Sequence, residues 1–134
     1  MEPRYLNILE NRTLPNGSLS FIEFESLPFV PQRVYWLSDV GIDQTRGSHA
    51  HKKLCQFIFA IQGSCDINLF NGFKNFDFTL AEGRAGVLIN PGWWRTLTNF
   101  IPGTIIQVFA DLPFDEGDYI RDFDSFLALA KNNG

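Results

Sequence analysis

The sequence predicts an all-β fold, a sandwich or barrel of two antiparallel sheets that ends in one helix. Short apolar runs are separated at close spacing by turn residues such as Pro15-Asn16-Gly17 and Pro91-Gly92, which is typical of β-sandwiches and barrels. The chain also contains 14 Phe, 3 Tyr and 3 Trp, and aromatic side chains fill the half-buried surface of a pleated sheet. A length of 134 residues suits a single domain, residues 1–134, with one hydrophobic core.

A hairpin is predicted around Asn71-Gly72. Apolar residues alternate with polar ones on both sides of this dipeptide, as Ile67 and Leu69 do before it. Asn-Gly supplies the two positive φ angles of a type I′ turn, so we expect strands 65–70 and 73–80 to be joined by a two-residue turn. Further strands are expected at 18–25, 33–38, 46–51, 55–62, 86–90, 95–100 and 104–110.

The end of the chain is predicted to form a helix. Apolar residues from Phe123 to Ala130 follow the spacing i, i+3, i+4, i+7, which places them on one face of an α-helix. Asp122 or Asp124 is expected to cap its start, and Asn132-Asn133-Gly134 is expected to end it.

The two cysteines, Cys55 and Cys65, are not expected to form a disulfide. A turn near Gln62-Gly63 predicts a hairpin of strands 55–61 and 64–70. In that hairpin Cys55 lies roughly 16 Å from Cys65 at ~3.3 Å per residue, beyond the ~7 Å limit for bridging. Reduced thiols fit a reducing compartment, and no secretory pattern opens the sequence, so we expect a cytoplasmic protein.

Charge and hydropathy exclude two classes of partner. The formal net charge is −4, whereas a nucleic-acid partner calls for a basic patch or stripe. No apolar run approaches the length that crosses a membrane. We therefore expect neither a nucleic acid nor a membrane as partner, and an anionic ligand would have to be met by a few local arginines.

Both histidines of the chain, His49 and His51, lie two residues apart in the stretch Arg46-Gly47-Ser48-His49-Ala50-His51-Lys52. Residues i and i+2 of a strand point to the same face, which in a small barrel is the interior. The alternative is a pair of surface or core histidines without a function. The pairing favours an active site, because binding alone does not require two titratable groups on one inner face.

The stretch around these histidines resembles the metal-binding motifs of cupins, with two differences. His-x-His followed by Gln56 and Gly63 has the spacing of the first cupin motif, which normally has Glu in place of Gln56. The second motif normally ends in a histidine where this chain has Arg95. An amide is a poor substitute for a carboxylate, and a guanidinium has no lone pair to donate. At ~4 Å, Arg95 would repel each unit of metal charge by about 4 kcal/mol, so we expect no metal and no organic cofactor.

Three segments together resemble one family of cupins. They are Arg33-Val34-Tyr35, the histidine stretch through Gln56, and Asp115 to Arg121. This combination is similar to the WxcM-like cupins, the sugar-nucleotide 3,4-ketoisomerases, from about Leu19 to Phe126. The resemblance implies a cupin jelly roll (a double-stranded β-helix) with a C-terminal helix, and a dTDP-linked 4-keto-6-deoxyhexose as ligand. Family members commonly have Trp-His where this chain has Trp94-Arg95.

The resemblance also implies roles for individual side chains. Moving a carbonyl from C4 to C3 requires removal of the C3 proton, an enediol, and reprotonation at C4. His49 is expected to take the C3 proton, and His51 to relay protons or orient the sugar, since an imidazole both takes and gives a proton near neutrality. Arg46, Tyr35 or Arg95 would stabilise the developing enediolate.

Other residues keep two interpretations. Gln56 is expected among the ligand-binding residues, and it would either hydrogen-bond a histidine and fix its tautomer or make no such bond. Arg33 would bind the pyrophosphate or pair with an exposed carboxylate, and Trp94 would stack on the thymine or fill the barrel mouth. Three residues are expected to anchor the turn before the helix rather than contact substrate: Asp118, Tyr119 and Arg121.

Two other functions remain open on the sequence. One is a 3,5-epimerase-like activity on the same substrate, and the other is a cupin that binds a nucleotide sugar without catalysis. The family resemblance further implies a homodimer. The apolar, strand-like segment Arg4 to Leu9 is expected to pair with the sheet edge of the partner subunit.

Overall fold

The computed structural model describes residues 1–133, and the terminal Gly134 lies outside the described part. Within it the chain forms twelve strands, two 3₁₀ turns and one α-helix. The strands are β1 (Arg4–Leu6), β2 (Glu10–Leu14), β3 (Gly17–Phe21), β4 (Arg33–Leu37), β5 (Arg46–His51), β6 (Gln56–Gln62), β7 (Ser64–Phe70), β8 (Asn75–Ala81), β9 (Gly86–Ile89), β10 (Trp94–Thr98), β11 (Ile105–Ala110) and β12 (Tyr119–Ile120). The 3₁₀ turns cover Phe24–Ser26 and Glu116–Asp118, and helix α1 covers Phe123–Asn133.

Most strands form two five-stranded antiparallel sheets. The first has the order β1-β9-β6-β11-β4, and the second has the order β12-β5-β10-β7-β8. From β4 onward the chain passes repeatedly from one sheet to the other, as in a jelly roll. The main core combines residues of both sheets, such as Ile58 and Val108 of the first and Ile67 and Leu97 of the second. The predicted all-β fold with a C-terminal helix is confirmed.

The hairpin predicted at Gln62-Gly63 is wrong. β6 pairs with β9 and β11, whereas β7 pairs with β8 and β10, so the turn carries the chain from one sheet to the other. Gly63 has a φ of +75°, and a Cβ there would lie 2.8 Å from the Cα of Thr104. A turn signal marks a reversal of direction, but it does not say whether the two strands pair. Cys55 and Cys65 are nevertheless free thiols, as expected.

The hairpin at Asn71-Gly72 is confirmed, but its turn differs from the prediction. Ile67 lies opposite Phe78 in the ladder of β7 and β8, and the connection spans four residues, 71–74. The Asn71 side-chain oxygen accepts hydrogen bonds from the backbone N–H of Phe73 at 2.8 Å and from that of Lys74 at 2.7 Å. The Asn71 side chain thus provides acceptors for two backbone N–H groups of the loop, and Asn71 does not need the positive φ of a type I′ turn.

The N-terminal segment forms three strands. β1 pairs with β9 of its own chain, with Tyr5 opposite Val87, and lies at the edge of the first sheet. Its pairing with a partner subunit stays a prediction. β2 and β3 form a separate two-stranded hairpin. β2 was not predicted because its residues, Glu10–Leu14, are all exposed and show no apolar alternation.

Helix α1 closes one side of the second sheet. The carboxylate of Asp122 accepts from the backbone N–H of Ser125 at 2.9 Å, which confirms Asp122 as the cap. Phe126 is 2 % exposed and packs with Trp94 and Ile120. In residues 1–133 no helix combines the length and apolar character needed to cross a membrane.

Candidate active site

A cavity of about 610 Å³ lies between the two sheets, where β4, β6 and β11 of the first sheet face β5 and β10 of the second. Its lining includes six of the eight residues predicted for the site. Those six are Arg33, Tyr35, Arg46, His49, Gln56 and Arg95. Residues from four strands of two sheets therefore converge on one space, which is the arrangement expected of a ligand site.

A β-bulge at Ser48 interrupts β5, the strand that carries the histidines. Arg95 lies opposite His49 and Thr96 opposite Gly47, so Ser48 is left out of the ladder. Gly47 has a φ of +88° and Ser48 a φ of +57°. A Cβ on Gly47 would lie 2.9 Å from the carbonyl oxygen of Arg95. Glycine at this position therefore allows the bulge to approach β10 closely.

The two imidazole rings are in contact on the inner face of β5. Their centroids are 4.9 Å apart and their planes are nearly perpendicular. His51 is fully buried, whereas His49 is partly exposed and lines the cavity. His49 is thus the ring a ligand would meet first, with His51 behind it.

Both imidazole rings form a hydrogen bond through Nδ1. The Nδ1 of His49 lies 3.1 Å from the carbonyl oxygen of Gly47, and the Nδ1 of His51 lies 3.1 Å from a carboxylate oxygen of Asp118. A carbonyl and a carboxylate only accept, so each Nδ1 carries the proton when the ring is neutral. Each Nε2 is buried without a partner among the described residues and keeps its lone pair.

The surroundings keep both rings neutral near pH 7. Burial, followed by the charge of Arg95, lowers the pKa of His49 to about 4. Burial, Arg95 and His49 lower the pKa of His51 against the opposing effect of Asp118. Two neutral imidazoles with free Nε2 atoms can accept protons from a bound ligand.

Arg95, Gln56 and Tyr35 form a hydrogen-bonded chain across the cavity. Arg95 is 3 % exposed and donates through its two terminal nitrogens, to the side-chain oxygen of Gln56 and to the carbonyl oxygen of Trp93 at 3.1 Å. Gln56 in turn donates to the Tyr35 hydroxyl at 3.0 Å. Of the two interpretations of Gln56, the structure favours the one without a bond to a histidine. Burial lowers the pKa of Arg95 to about 10 and raises that of Tyr35, so Arg95 is charged and Tyr35 protonated at pH 7.

These residues do not fit the metal ion that cupins commonly hold. The two places where the sequence departs from the metal motif, Gln56 and Arg95, bond each other. Arg95 thereby places a positive charge with no lone pair beside the histidines. In the described part of the chain no group of three or more His, Cys, Asp or Glu side chains is arranged to bind a metal.

The segment before helix α1 contributes more to the site than the sequence predicted. β12 pairs with β5, with Tyr119 opposite His51. The Tyr119 ring lies 5.0 Å from the His49 ring and 4.3 Å from the His51 ring, between centroids. The guanidinium of Arg121 lies 4.1 Å from the centroid of Tyr119, and Asp118 bonds His51. The family resemblance included this segment, but nothing in the local sequence indicated that it would reach the histidines.

Trp94 does not lie in the cavity. Its ring packs against Phe123 and Phe126, with centroids 5.1 and 5.4 Å apart. Successive residues of a strand point to opposite faces, so Trp94 faces helix α1 because Arg95 faces the cavity. Trp94 is therefore not among the residues that line the cavity, which corrects its assignment to ligand binding. It packs against helix α1 instead.

Arg33 stacks on aromatic rings at the cavity wall. Its guanidinium lies 4.7 Å from the centroid of Tyr35 and 5.2 Å from that of Phe114. No carboxylate within residues 1–133 forms an ion pair with it. The exposed ion pair considered for Arg33 is thus absent from the described residues, and its charge faces the cavity without a counter-ion.

Comparison with known proteins identifies the family. The model of the FdtA family, described as WxcM-like, C-terminal, matches residues 4–131. The chain belongs to this family.

Relatives in the family have assigned activities. The chain is 36 % identical over 138 residues to the TDP-4-oxo-6-deoxy-alpha-D-glucose-3,4-oxoisomerase of Aneurinibacillus thermoaerophilus, covering 99 % of this chain and 96 % of that one. A 3,4-ketoisomerase from Helicobacter canadensis superposes with a TM-score of 0.90 at 34 % identity, over 98 % of both chains. A histidine-to-asparagine variant of the 3,4-ketoisomerase QdtA from Thermoanaerobacterium thermosaccharolyticum, in complex with TDP-4-keto-6-deoxyglucose, also has a TM-score of 0.90, at 32 % identity over 97 % of this chain and 94 % of that one.

Proposed function

We propose that this protein is a 3,4-ketoisomerase that acts on a dTDP-4-keto-6-deoxyhexose. The observation that carries the proposal is the pair of neutral imidazoles, His49 and His51, whose Nε2 atoms are buried and have no partner among the described residues. The activities of the relatives in the same family point to the same reaction.

The reaction we propose is a proton transfer without a change in overall oxidation state. His49 takes the proton on C3 while the C4 carbonyl oxygen gains a proton, which gives the 3,4-enediol. The O3–H bond then breaks, the C3 carbonyl forms, and C4 receives a proton. His51 relays protons or orients the sugar. Each proton removed is matched by one returned, so the step needs no oxidant or reductant.

Arginines are proposed to bind the charged parts of the ligand. Arg33 faces the cavity and has no ion pair in the described residues, so we assign it to the pyrophosphate. Arg95 lies beside the histidines as a buried cation. With Arg46 and Tyr35 it would stabilise the enediolate, since fixed donors in a site that excludes water act strongly on developing charge. Gln56 holds Arg95 and Tyr35 in place.

Incubation in deuterated water tests the reaction. We expect the protein to move the ketone of dTDP-4-keto-6-deoxyglucose from C4 to C3 and to leave solvent deuterium at C4, as followed by NMR. A 3,5-epimerase would label C3 and C5 with the ketone still at C4. A protein that only binds the nucleotide sugar would produce neither change. Either of these two results would contradict the proposal.

Catalysis is proposed to be independent of metal. Arg95 occupies the neighbourhood in which a cation would have to sit, and like charges there repel by about 4 kcal/mol at ~4 Å. We expect dialysis against a chelator to leave the rate unchanged. Loss of activity that one divalent ion restores would show that this prediction is wrong.

The protein is proposed to form a homodimer. On β4, the edge strand of the first sheet, Val34 is 46 % and Trp36 60 % exposed, and the two alternate along the strand with the less exposed Arg33 and Tyr35. Large apolar side chains on a sheet edge favour association with another chain. Light scattering at micromolar concentration is expected to give twice the chain mass, and Val34→Asp to reduce it. A wild-type protein with the mass of one chain would contradict the prediction.

A cytoplasmic location is proposed from the thiols. Cys55 and Cys65 are both free, and reducing compartments keep thiols in this state. Burial raises the pKa of Cys65 to about 12, so this thiol stays protonated and unreactive near pH 7.

A further inference from the structure

The carboxylate of Asp118 is buried beside the cavity and is held by several hydrogen bonds. Asp118 is 8 % exposed and ends the 3₁₀ turn Glu116–Asp118 just before β12. One carboxylate oxygen accepts from the backbone N–H of Lys53 at 2.7 Å. The other accepts from the backbone N–H of Leu54 at 3.3 Å and lies 3.1 Å from the Nδ1 of His51. Two backbone donors therefore hold the carboxylate toward the histidine.

We infer that Asp118 is the positioning residue of His51: it holds the ring as the Nδ1–H tautomer, so that the free lone pair is on Nε2. An ionised carboxylate only accepts hydrogen bonds, so the nitrogen facing it must donate. The ring is fully buried and Nε2 has no partner in the described residues, so nothing else there selects a tautomer. When His51 takes up a proton, the same carboxylate stabilises the imidazolium.

This role separates His51 from His49. The Nδ1 of His49 faces the neutral carbonyl oxygen of Gly47, which selects the same tautomer but supplies no negative charge. The inference rests on the proposed function only for its effect on the rate. The tautomer of His51 can be measured whether or not the protein is an isomerase.

Asp118→Asn should reverse the tautomer. The amide oxygen of the variant keeps the short bond from the Lys53 N–H, which turns the amide nitrogen toward His51. An N–H group facing Nδ1 requires an acceptor, so the proton of the ring moves to Nε2. The site then loses the free lone pair while the residue stays nearly the same size.

The measurement is the ¹⁵N–¹H correlation of the imidazole nitrogens by NMR. We expect Nδ1–H for His51 in the wild-type protein and Nε2–H in Asp118→Asn. The matched control is Asp115→Ala, which removes the bond from Asp115 to the Gly117 N–H in the same turn without contacting His51, and which should keep Nδ1–H. A wild-type His51 with its proton on Nε2 would overturn the inference.

Kinetics test whether the tautomer matters. Asp118→Asn should lower kcat at least roughly tenfold, because the proton sits on the wrong nitrogen, and change KM less than about twofold. The loss should equal that of His51→Asn, and the double variant should lose no more than either single one, since the two residues act as a unit. An unchanged kcat in Asp118→Asn, or additive losses, would overturn the positioning role. If the wild-type protein moved no ketone but His51 were Nδ1–H, the proposed function would fail while the assigned tautomer stood.

Discussion

His49 and His51 both leave Nε2 free, but they differ in burial and in the partner of Nδ1. His49 borders the cavity and its ring is supported by the carbonyl oxygen of Gly47. His51 lies behind it, fully buried, and its ring is supported by the carboxylate of Asp118. In the proposed reaction the ring nearer the ligand contacts the C3–H bond, and the inner ring assists it.

The two histidines should therefore be unequal in a kinetic test. His49→Asn is expected to lower kcat by about 10²–10⁴, the usual cost of removing a general base, with the affinity for the nucleotide nearly unchanged. His51→Asn should lower kcat less. Turnover is measured by NMR and nucleotide affinity by calorimetry with dTDP. Both substitutions are close in size, so far-UV circular dichroism should match the wild-type spectrum.

The opposite ranking would reverse the roles. If His51→Asn were inactive and His49→Asn nearly normal, His51 would be the base. If neither substitution slowed the reaction, the cavity would not be the active site. A loss of nucleotide affinity in His49→Asn would instead indicate that the ring binds the ligand rather than reacting with it.

The sequence predicted the histidine pair but not the carboxylate of Asp118 that binds His51. Residues two apart on a strand share a face, so His49 and His51 follow directly from the sequence. Asp118 lies 67 residues from His51, and only the pairing of β12 with β5 brings them together. The same alternation would have excluded Trp94 from the site once the neighbouring Arg95 was placed inside the cavity.

At the level of elements, two turn glycines with the same φ angle have different surroundings. Gly63 and Gly83 each have a φ of +75°. A Cβ on Gly63 would lie 2.8 Å from the Cα of Thr104, where the chain passes from one sheet to the other. A Cβ on Gly83, in the loop between β8 and β9, would meet nothing within 4 Å.

Alanine at these two positions should separate backbone strain from steric overlap. Gly83→Ala is expected to lower the free energy of unfolding by roughly 1 kcal/mol, the cost of a left-handed conformation for a residue with a Cβ. Gly63→Ala should cost roughly 1–3 kcal/mol more, because the backbone of Thr104 would have to move. Urea unfolding measures both values. Equal losses would mean that the turn at Gly63 relaxes without cost.

Strand positions were predictable, but strand partners were not. Alternation along β7 and β8 gave both the strands and their pairing, because a short loop joins neighbours in one sheet. The turn at Gly63 is shorter still, a single residue between β6 and β7, yet these two strands lie in different sheets. The choice depends on which faces are covered by other strands, and that is a property of the assembled core rather than of the turn.

For the molecule as a whole, the charge of the cavity is opposite in sign to the net charge of the chain. The chain has a formal charge of −4, whereas the cavity lining includes Arg33, Arg46, Arg95 and Arg121 and contains no acidic residue of the described chain. Arg121 is paired with Glu116 at 2.6 Å. The remaining arginines make the cavity cationic, which suits an anionic ligand. Burial, followed by the charge of Arg95, lowers the pKa of both histidines.

This arrangement also predicts how stability depends on pH. In the unfolded chain both histidines titrate near pH 6.5, whereas in the folded protein the pKa of His49 is about 4 and that of His51 is also lowered. Between these values the unfolded state binds protons that the folded state does not. The free energy of unfolding should therefore fall as the pH decreases from 6.5 to about 4, by at most about 1.4 kcal/mol per pH unit for each histidine.

The chain is well suited to this measurement because His49 and His51 are its only histidines. Glu116 and Asp122, whose pKa values are lowered by hydrogen bonds from Arg121 and Ser125, act in the same direction but below about pH 4.5. Urea unfolding from pH 5 to pH 7 thus reports mainly on the two rings. The double variant His49→Asn/His51→Asn should have a nearly flat profile over this range. If it kept the wild-type slope, the histidines would not be buried in their neutral form, and the proposed availability of both Nε2 lone pairs would fail with them.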